Sequence, residues 1–514
     1  MSQLYQRLGA LQSDKPAIIE DNVQWTGQVL LEKVKRLASV LSQKGLQPGD
    51  RVALMFLNQK EFLLSFLALR YMGAVPVPIN IQMPPDDILY VILNSGSKLV
   101  LTTDAFAPRF EGKPIPVLVA NSTTPGKYPS FEDAIEGGDP NFTPTHTHTP
   151  NEMHVLMYTS GTTGKPKGVM LSEENLLANL DGVAKILDVD ANERMLLALP
   201  LFHAYGLMIA LVALDGGAPI VLVPNFSPKK IVEMVATHQV TILPLVPTMF
   251  TVLLKAAEKS GAGVFKTLKL CVSGGASLPK ALLKQVEDLL DVVVLEGYGL
   301  TETAPVLAVN NPKTGSIPGS VGRPLANVEL KLVNDAGEKL PETTESEGEI
   351  LARGANIMLG YYGLPEETKA VFDGDGFFKT GDIGRFDESG NLYISGGRKK
   401  DLIIKAGENI SPLRIEEVLY QHPAVREASV IGLPDDRLGE EVLACVELEE
   451  GHRHIDVKDM EKSLKDFCLA QLTPFLCPAQ FRFFDELPKN PTGKIVKKEL
   501  KAQVLSSLTT SAHS

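Results

Sequence analysis

The 514-residue chain is 44% hydrophobic and 22% charged, an ordinary globular make-up with room for several domains. Its formal net charge of −12 argues against a general nucleic-acid binder, which needs basic surface to neutralise phosphates. Four cysteines without a CxxC pair, no signal-peptide core in MSQLYQRLGALQSDKP, and no run near the roughly 18 apolar residues of a membrane span predict a soluble cytoplasmic protein with no transmembrane segment.

Over residues 1–100 amphipathic helices alternate with apolar strands. GDRVALMFLN reads as a turn and a strand, KEFLLSFLALRYMG as a helix ended by Gly73, and VPVPIN as the next strand. Residues 105–150 are rich in Pro, Thr and Gly and predict irregular structure with short strands. From 155 to 300 short apolar runs (VLMYT, MLLAL, PIVLVP, VTILPL, LKLCVSG, DVVVLEG) alternate with helical segments. One helix opens at the cap Ser172 and another at Ser227-Pro228. This alternation predicts an α/β fold with a mainly parallel sheet covered on both faces. Residues of about 315–396 change to strands separated by DAG and ESGN turns, a β-rich subdomain. A mixed α+β tail follows, and the expected division is 1–398 and 399–514.

After the strand VLMYT comes YTSGTTGKPKGV, with four Ser/Thr hydroxyls, three glycines, two lysines and no acid. Backbone N–H groups of such a turn can converge on an anion, and negative charge would repel a polyphosphate. The Walker pattern fails twice. Thr159 stands where its first glycine belongs, and Pro166 where its magnesium-binding hydroxyl belongs. A plain surface loop is the competing reading. The two histidines of HTHTP lack further ligands, so a loop is the simpler reading there.

Six motifs in order, YTSGTTGKPKGV, PLFHAYG, EGYGLTET, FKTGD, GGRKKDLIIKAGENISP and PKNPTGKI, cover nearly the whole chain. In these the sequence resembles the adenylate-forming enzymes, which include acyl-CoA synthetases, peptide-synthetase adenylation domains and luciferases. The resemblance implies a large N-terminal AMP-binding domain and a small mobile C-terminal domain. It implies that Thr159, Ser160, Gly161, Thr162, Thr163, Gly164 and Lys167 hold the β- and γ-phosphates of ATP. Gripping the leaving pyrophosphate stabilises charge that builds in the transition state. By the same resemblance Tyr298 stacks on adenine, Thr301 meets the α-phosphate, and Glu302 binds Mg2+, which prefers hard oxygen ligands. Asp382 and Arg398 contact the ribose, Lys400 is the hinge, and Gly407 lines a coenzyme A tunnel.

Lys494 falls at the family's catalytic lysine. The substrate carboxylate must approach an anionic phosphate, and a cation between them lowers that barrier. Neighbouring Lys489, Lys497 and Lys498 are expected on a solvated face or against coenzyme A phosphates. His203 is tempting as a base, but a carboxylic acid is already ionised at pH 7. It is therefore expected to shape the acyl pocket with Tyr205, Gly206, Gly275 and Ala276. The pocket segments, HAYGLMIALVAL, VPTMFTVL, SGGASLP and APVLAVN, carry no acid for an amino group and no arginine for a second carboxylate. A medium- or long-chain fatty acid fits best and an aryl acid next. Coenzyme A is the expected acceptor and an acyl carrier protein the alternative.

Overall fold

The computed structural model describes the chain except residues 1–2, 9–10, 12–13, 124–125, 148, 150, 160–164, 342, 345, 399–400, 407, 436, 491–493 and 512–514, and the backbone alone at 262, 396–398, 409 and 508–511. The α/β fold expected from the sequence is the fold observed. Among the described residues the largest sheet has nine strands. From one edge they are Arg323–Pro324, Val306–Val309, Val293–Gly299, Leu270–Ser273, Ile242–Leu245, Met195–Leu197, Ile220–Leu222, Pro16–Glu20 and Val23–Thr26. The six inner strands run parallel, and the strands outside them are antiparallel to their neighbours.

The inner strands are short and wholly apolar, as strands covered on both faces must be. Leu196, Leu243, Leu245 and Val294 pack one face against the helices Pro228–His238, Pro247–Ser260 and Lys280–Leu290. The caps read from the sequence form: the Ser172 hydroxyl accepts from Asn175 N–H at 3.1 Å and the Ser227 hydroxyl from Lys230 N–H at 3.4 Å. Asn175 completes a reciprocal box by accepting from Ser172 N–H at 2.8 Å.

A second, parallel sheet has the order Val75–Pro78, Arg51–Met55, Leu99–Thr103 and Val117–Ala120. Its crossover helix Lys60–Met72 is not amphipathic as expected: Glu61–Met72 are all buried, Arg70 included. Arg70 satisfies that burial by donating to Ala74 O at 2.7 Å and by contact with the ring of His154.

The strand Met153–Thr159 departs from the expected parallel alternation. It pairs antiparallel with Lys167–Ser172, and Gly360–Tyr361 adds a third strand to this separate sheet. The phosphate-loop motif is therefore the tip of a β-hairpin and not a strand-to-helix turn. The β-rich segment forms a four-stranded antiparallel sheet of Val328–Val333, Gly348–Gly354, Phe378–Phe386 and Leu392–Arg398.

The tail builds its own five-stranded sheet around the long antiparallel pair Val425–Asp435 and Gly439–Leu448, on which Gln480–Phe484 lies parallel. Ile403, Ile415, Leu419, Val430, Val446, Leu464 and Cys468 form a core separate from that of the large unit. Among the described residues no helix is long and apolar enough to cross a membrane.

Candidate active site

The site begins where the strand Val293–Gly299 leaves the sheet at its C-terminal end, the end at which open α/β sheets place ligands. Gly299 is required there. A Cβ on it would lie 1.8 Å from Pro305 O, because Leu300 N–H reaches back to that carbonyl at 3.0 Å. The turn carries Thr301 and Glu302 in a short 3₁₀ segment, Thr301–Thr303, beside Tyr298 on the strand.

The Tyr298 hydroxyl donates to Asp382 Oδ2 at 2.7 Å, joining the end of the nine-stranded sheet to the antiparallel subdomain. Asp382 is buried, its N–H bonded to the Thr380 hydroxyl at 3.1 Å. Arg398 lies opposite it in the strand register. On the other side of the turn, the Tyr361 hydroxyl donates to Glu302 Oε1 at 3.0 Å. Lys167 stands over the Tyr361 ring, 5.4 Å from its centroid, with its ammonium against the Glu367 carboxylate. Thr159 pairs in register with Lys167 across the hairpin base. One connected set thus runs from Asp382 through Tyr298, the 301–303 turn and Tyr361 to Lys167. Ser160, Gly161, Thr162, Thr163 and Gly164, at the hairpin tip, lie outside the described residues, as do Lys400 and Gly407.

His203 immediately precedes the apolar helix Ala204–Asp215. Its Nε2 is enclosed without a hydrogen-bond partner, and burial pushes the imidazole down to about 4, so the ring is neutral near pH 7. The Tyr205 hydroxyl donates to Val272 O at 3.0 Å, and its ring lies where a Cβ on Gly274 would be 3.2 Å away. Gly206 packs onto the preceding turn, where a Cβ would meet Pro200 O at 2.4 Å. Gly275, at φ +81°, and Ala276 lie in the loop after Leu270–Ser273. That loop is tied down by Glu296, whose Oε1 accepts from Leu278 N–H at 2.9 Å. Lys494 belongs to the small unit, on an exposed hairpin where its N–H donates to Asn490 Oδ1 at 2.8 Å.

Residues 6–362 match the AMP-binding enzyme family and residues 414–494 the AMP-binding enzyme C-terminal domain. The chain belongs to the AMP-binding enzyme family. A long-chain-fatty-acid–CoA ligase of Bacillus subtilis (strain 168) is 32% identical, over 95% of this chain and 91% of its own length. A sulfoacetate–CoA ligase of Cupriavidus necator is 36% identical, over 89% and 88%. The o-succinylbenzoate CoA synthetase MenE from Bacillus subtilis, solved with the acyl-adenylate intermediate OSB-AMP, superposes with a TM-score of 0.84 at 29% identity, over 97% and 98%.

Two residues of this AMP-binding enzyme's site, Tyr361 and Glu367, escaped the sequence reading although both stand in GYYGLPEET. The only signal was that segment's concentration of Gly, Tyr and Glu beside a strand. Among the described residues no group of three or more His, Cys, Asp or Glu could cage a metal ion. A lone carboxylate such as Glu302 suits Mg2+, which is usually held by one or two carboxylates together with substrate phosphates and water.

Proposed function

We propose that this chain is an AMP-forming acid–thiol ligase that activates a medium- or long-chain fatty acid and transfers it to coenzyme A. The observation that carries the reading is the Tyr298–Asp382 bond with Glu302 one turn away, which gathers an aromatic face and two carboxylates at the C-terminal end of a parallel sheet. In this reading Tyr298 faces adenine and Asp382 accepts from the ribose hydroxyls, as a carboxylate with several lone pairs can. Arg398 is the second ribose contact. Thr159, the 160–164 loop and Lys167 hold the β- and γ-phosphates.

The substrate carboxylate oxygen attacks the α-phosphorus of ATP, the bond to the β-phosphate oxygen breaks, and pyrophosphate leaves. Thr301 donates to the α-phosphate, and Lys494 bridges the two approaching anions. Glu302 would hold Mg2+, which when bound neutralises phosphate charge. The coenzyme A sulfur then attacks the acyl carbonyl, AMP leaves, and the thiol proton passes to water. Between the steps the small unit turns about Lys400, withdrawing Lys494 and bringing Gly407 to the tunnel.

The acid's hydrocarbon lies against Ala204–Asp215 and the 274–278 loop, with neutral His203, Tyr205, Gly206, Gly275 and Ala276 at its carboxylate end. An aryl acid is the second reading, favoured by the Tyr205 ring fixed beside Gly274. A panel of alkyl and aryl carboxylates with MgATP, followed by pyrophosphate and AMP release with and without coenzyme A, tests all of this. Thioester formation with decanoate above benzoate is expected. Pyrophosphate release without thioester would move the acceptor to an acyl carrier protein, and inactivity with every alkyl and aryl acid would overturn the pocket reading.

A further inference from the structure

The hairpin that bears Lys494 is small. Lys489 and Ile495 bridge across it, Val496 N–H donates to Pro488 O at 2.8 Å, and Asn490 N–H donates to Lys494 O at 2.8 Å. Lys494 is exposed at its end, so packing at the tip cannot fix where the ammonium points. Two ion pairs fasten the flanks instead. On the incoming side Lys489 Nζ is 2.6 Å from Glu427 Oε2, with side-chain exposures of 20% and 7%. On the outgoing side Lys497 Nζ is 2.7 Å from Glu416 Oε1 and 3.0 Å from Val430 O.

Both fastenings end on one strand. Glu427 and Val430 belong to Val425–Asp435, and Glu416 Oε1 also accepts from Val430 N–H at 2.7 Å. Opposite Glu427 in register stands a second buried acid, Glu447, which is served by Arg426 at 2.8 Å and Arg453 at 3.8 Å. Buried ion pairs add little net stability, but removing one partner is costly, and they can fix register. Here they fix a hairpin to a strand at two points, one on each side of Lys494.

We propose that Glu427 and Glu416 are positioning residues for Lys494, acting through Lys489 and Lys497 to hold the hairpin in the geometry that adenylate formation needs. This rests on the reading above in which Lys494 serves that step alone. A displacement of about 1 Å at a reacting group can cost about a hundredfold in rate. Loosening one of two fastenings is therefore expected to cost about tenfold.

The test uses the full chain with decanoate, or benzoate if decanoate is not turned over. Pyrophosphate release with MgATP is measured separately from thioester formation starting from preformed acyl-adenylate. For Glu427→Gln and Glu416→Gln we expect kcat of the first step to fall about tenfold, with KM for ATP and the second step each within about twofold. Lys489→Arg should retain the first step where Lys489→Gln loses it. An unchanged first step, or an equal fall in both steps, overturns the proposal. Lys494→Ala made in parallel separates the two ideas. If it leaves adenylation intact, the role of Lys494 itself fails. If it abolishes adenylation while both glutamine variants match wild type, only the fastenings fail.

Discussion

The large unit's share of the site is knitted from enclosed polar groups, whereas the small unit's share stands exposed and is held from its flanks. On the large unit Asp382, Glu296 and Asn310 are buried, and each fixes a segment directly. Asp382 takes the Tyr298 hydroxyl, Glu296 takes Leu278 N–H, and Asn310 Nδ2 donates to Glu296 O at 3.2 Å and Ser320 O at 2.6 Å. On the small unit Lys494 extends from a hairpin clamped five residues before it by Glu427 and three after it by Glu416. Groups wanted throughout a reaction can be set into the body of a fold. A group wanted in one step is better placed on an element that moves as a block, with its internal geometry kept by local fastenings.

The largest expected effect separates these two halves outright. Lys494→Ala should slow pyrophosphate release by about 10²–10³-fold and leave thioester formation from preformed adenylate unchanged. A wild-type rate of adenylation in that variant would mean that the exposed hairpin has no part in the first step. The large unit's own lysine should behave differently. Lys167→Met removes a charge-assisted contact worth about 1.5–3 kcal/mol, or roughly 10–150-fold in kcat/KM for ATP. A normal kcat/KM for ATP would show that the Glu367 carboxylate keeps Lys167 from the phosphates.

The sequence alone carried the motifs, both helix caps and the order of the inner strands, because those signals are local. Topology around the phosphate loop was not local. VLMYT is an apolar run that reads alike in a parallel or an antiparallel sheet, and its partner Lys167–Ser172 was hidden inside the motif that followed. Periodicity likewise could not reveal that Lys60–Met72 is enclosed on every side, since that depends on what surrounds it. Lys489 and Lys497 illustrate the same limit at the site. As lysines near a chain end they read as solvated, yet their partners Glu427 and Glu416 lie 62 and 81 residues earlier. Tyr361 entered the site only because a two-residue strand carries it beside Glu302.

The smallest expected effect concerns stability and probes the enclosed half alone. Burial pushes the Glu296 carboxyl from the ordinary 4.5 up to about 8, while the Leu278 N–H opposes the rise and the Glu417 carboxylate adds to it. The native chain therefore holds this proton more tightly than the unfolded chain does. The resulting contribution is complete below about 4.5 and is lost as pH climbs toward about 8. Glutamine cannot ionise, and its side-chain oxygen can still accept from Leu278 N–H. Glu296→Gln should thus melt close to wild type near pH 4.5 and above it by about 2–4 °C at pH 9, in scans at one fixed rate. A constant offset between the two proteins across that range would mean that Glu296 ionises as an ordinary carboxyl. The 274–278 loop would then be held by a charged acceptor, and the contrast between an enclosed half and an exposed half would lose its clearest member.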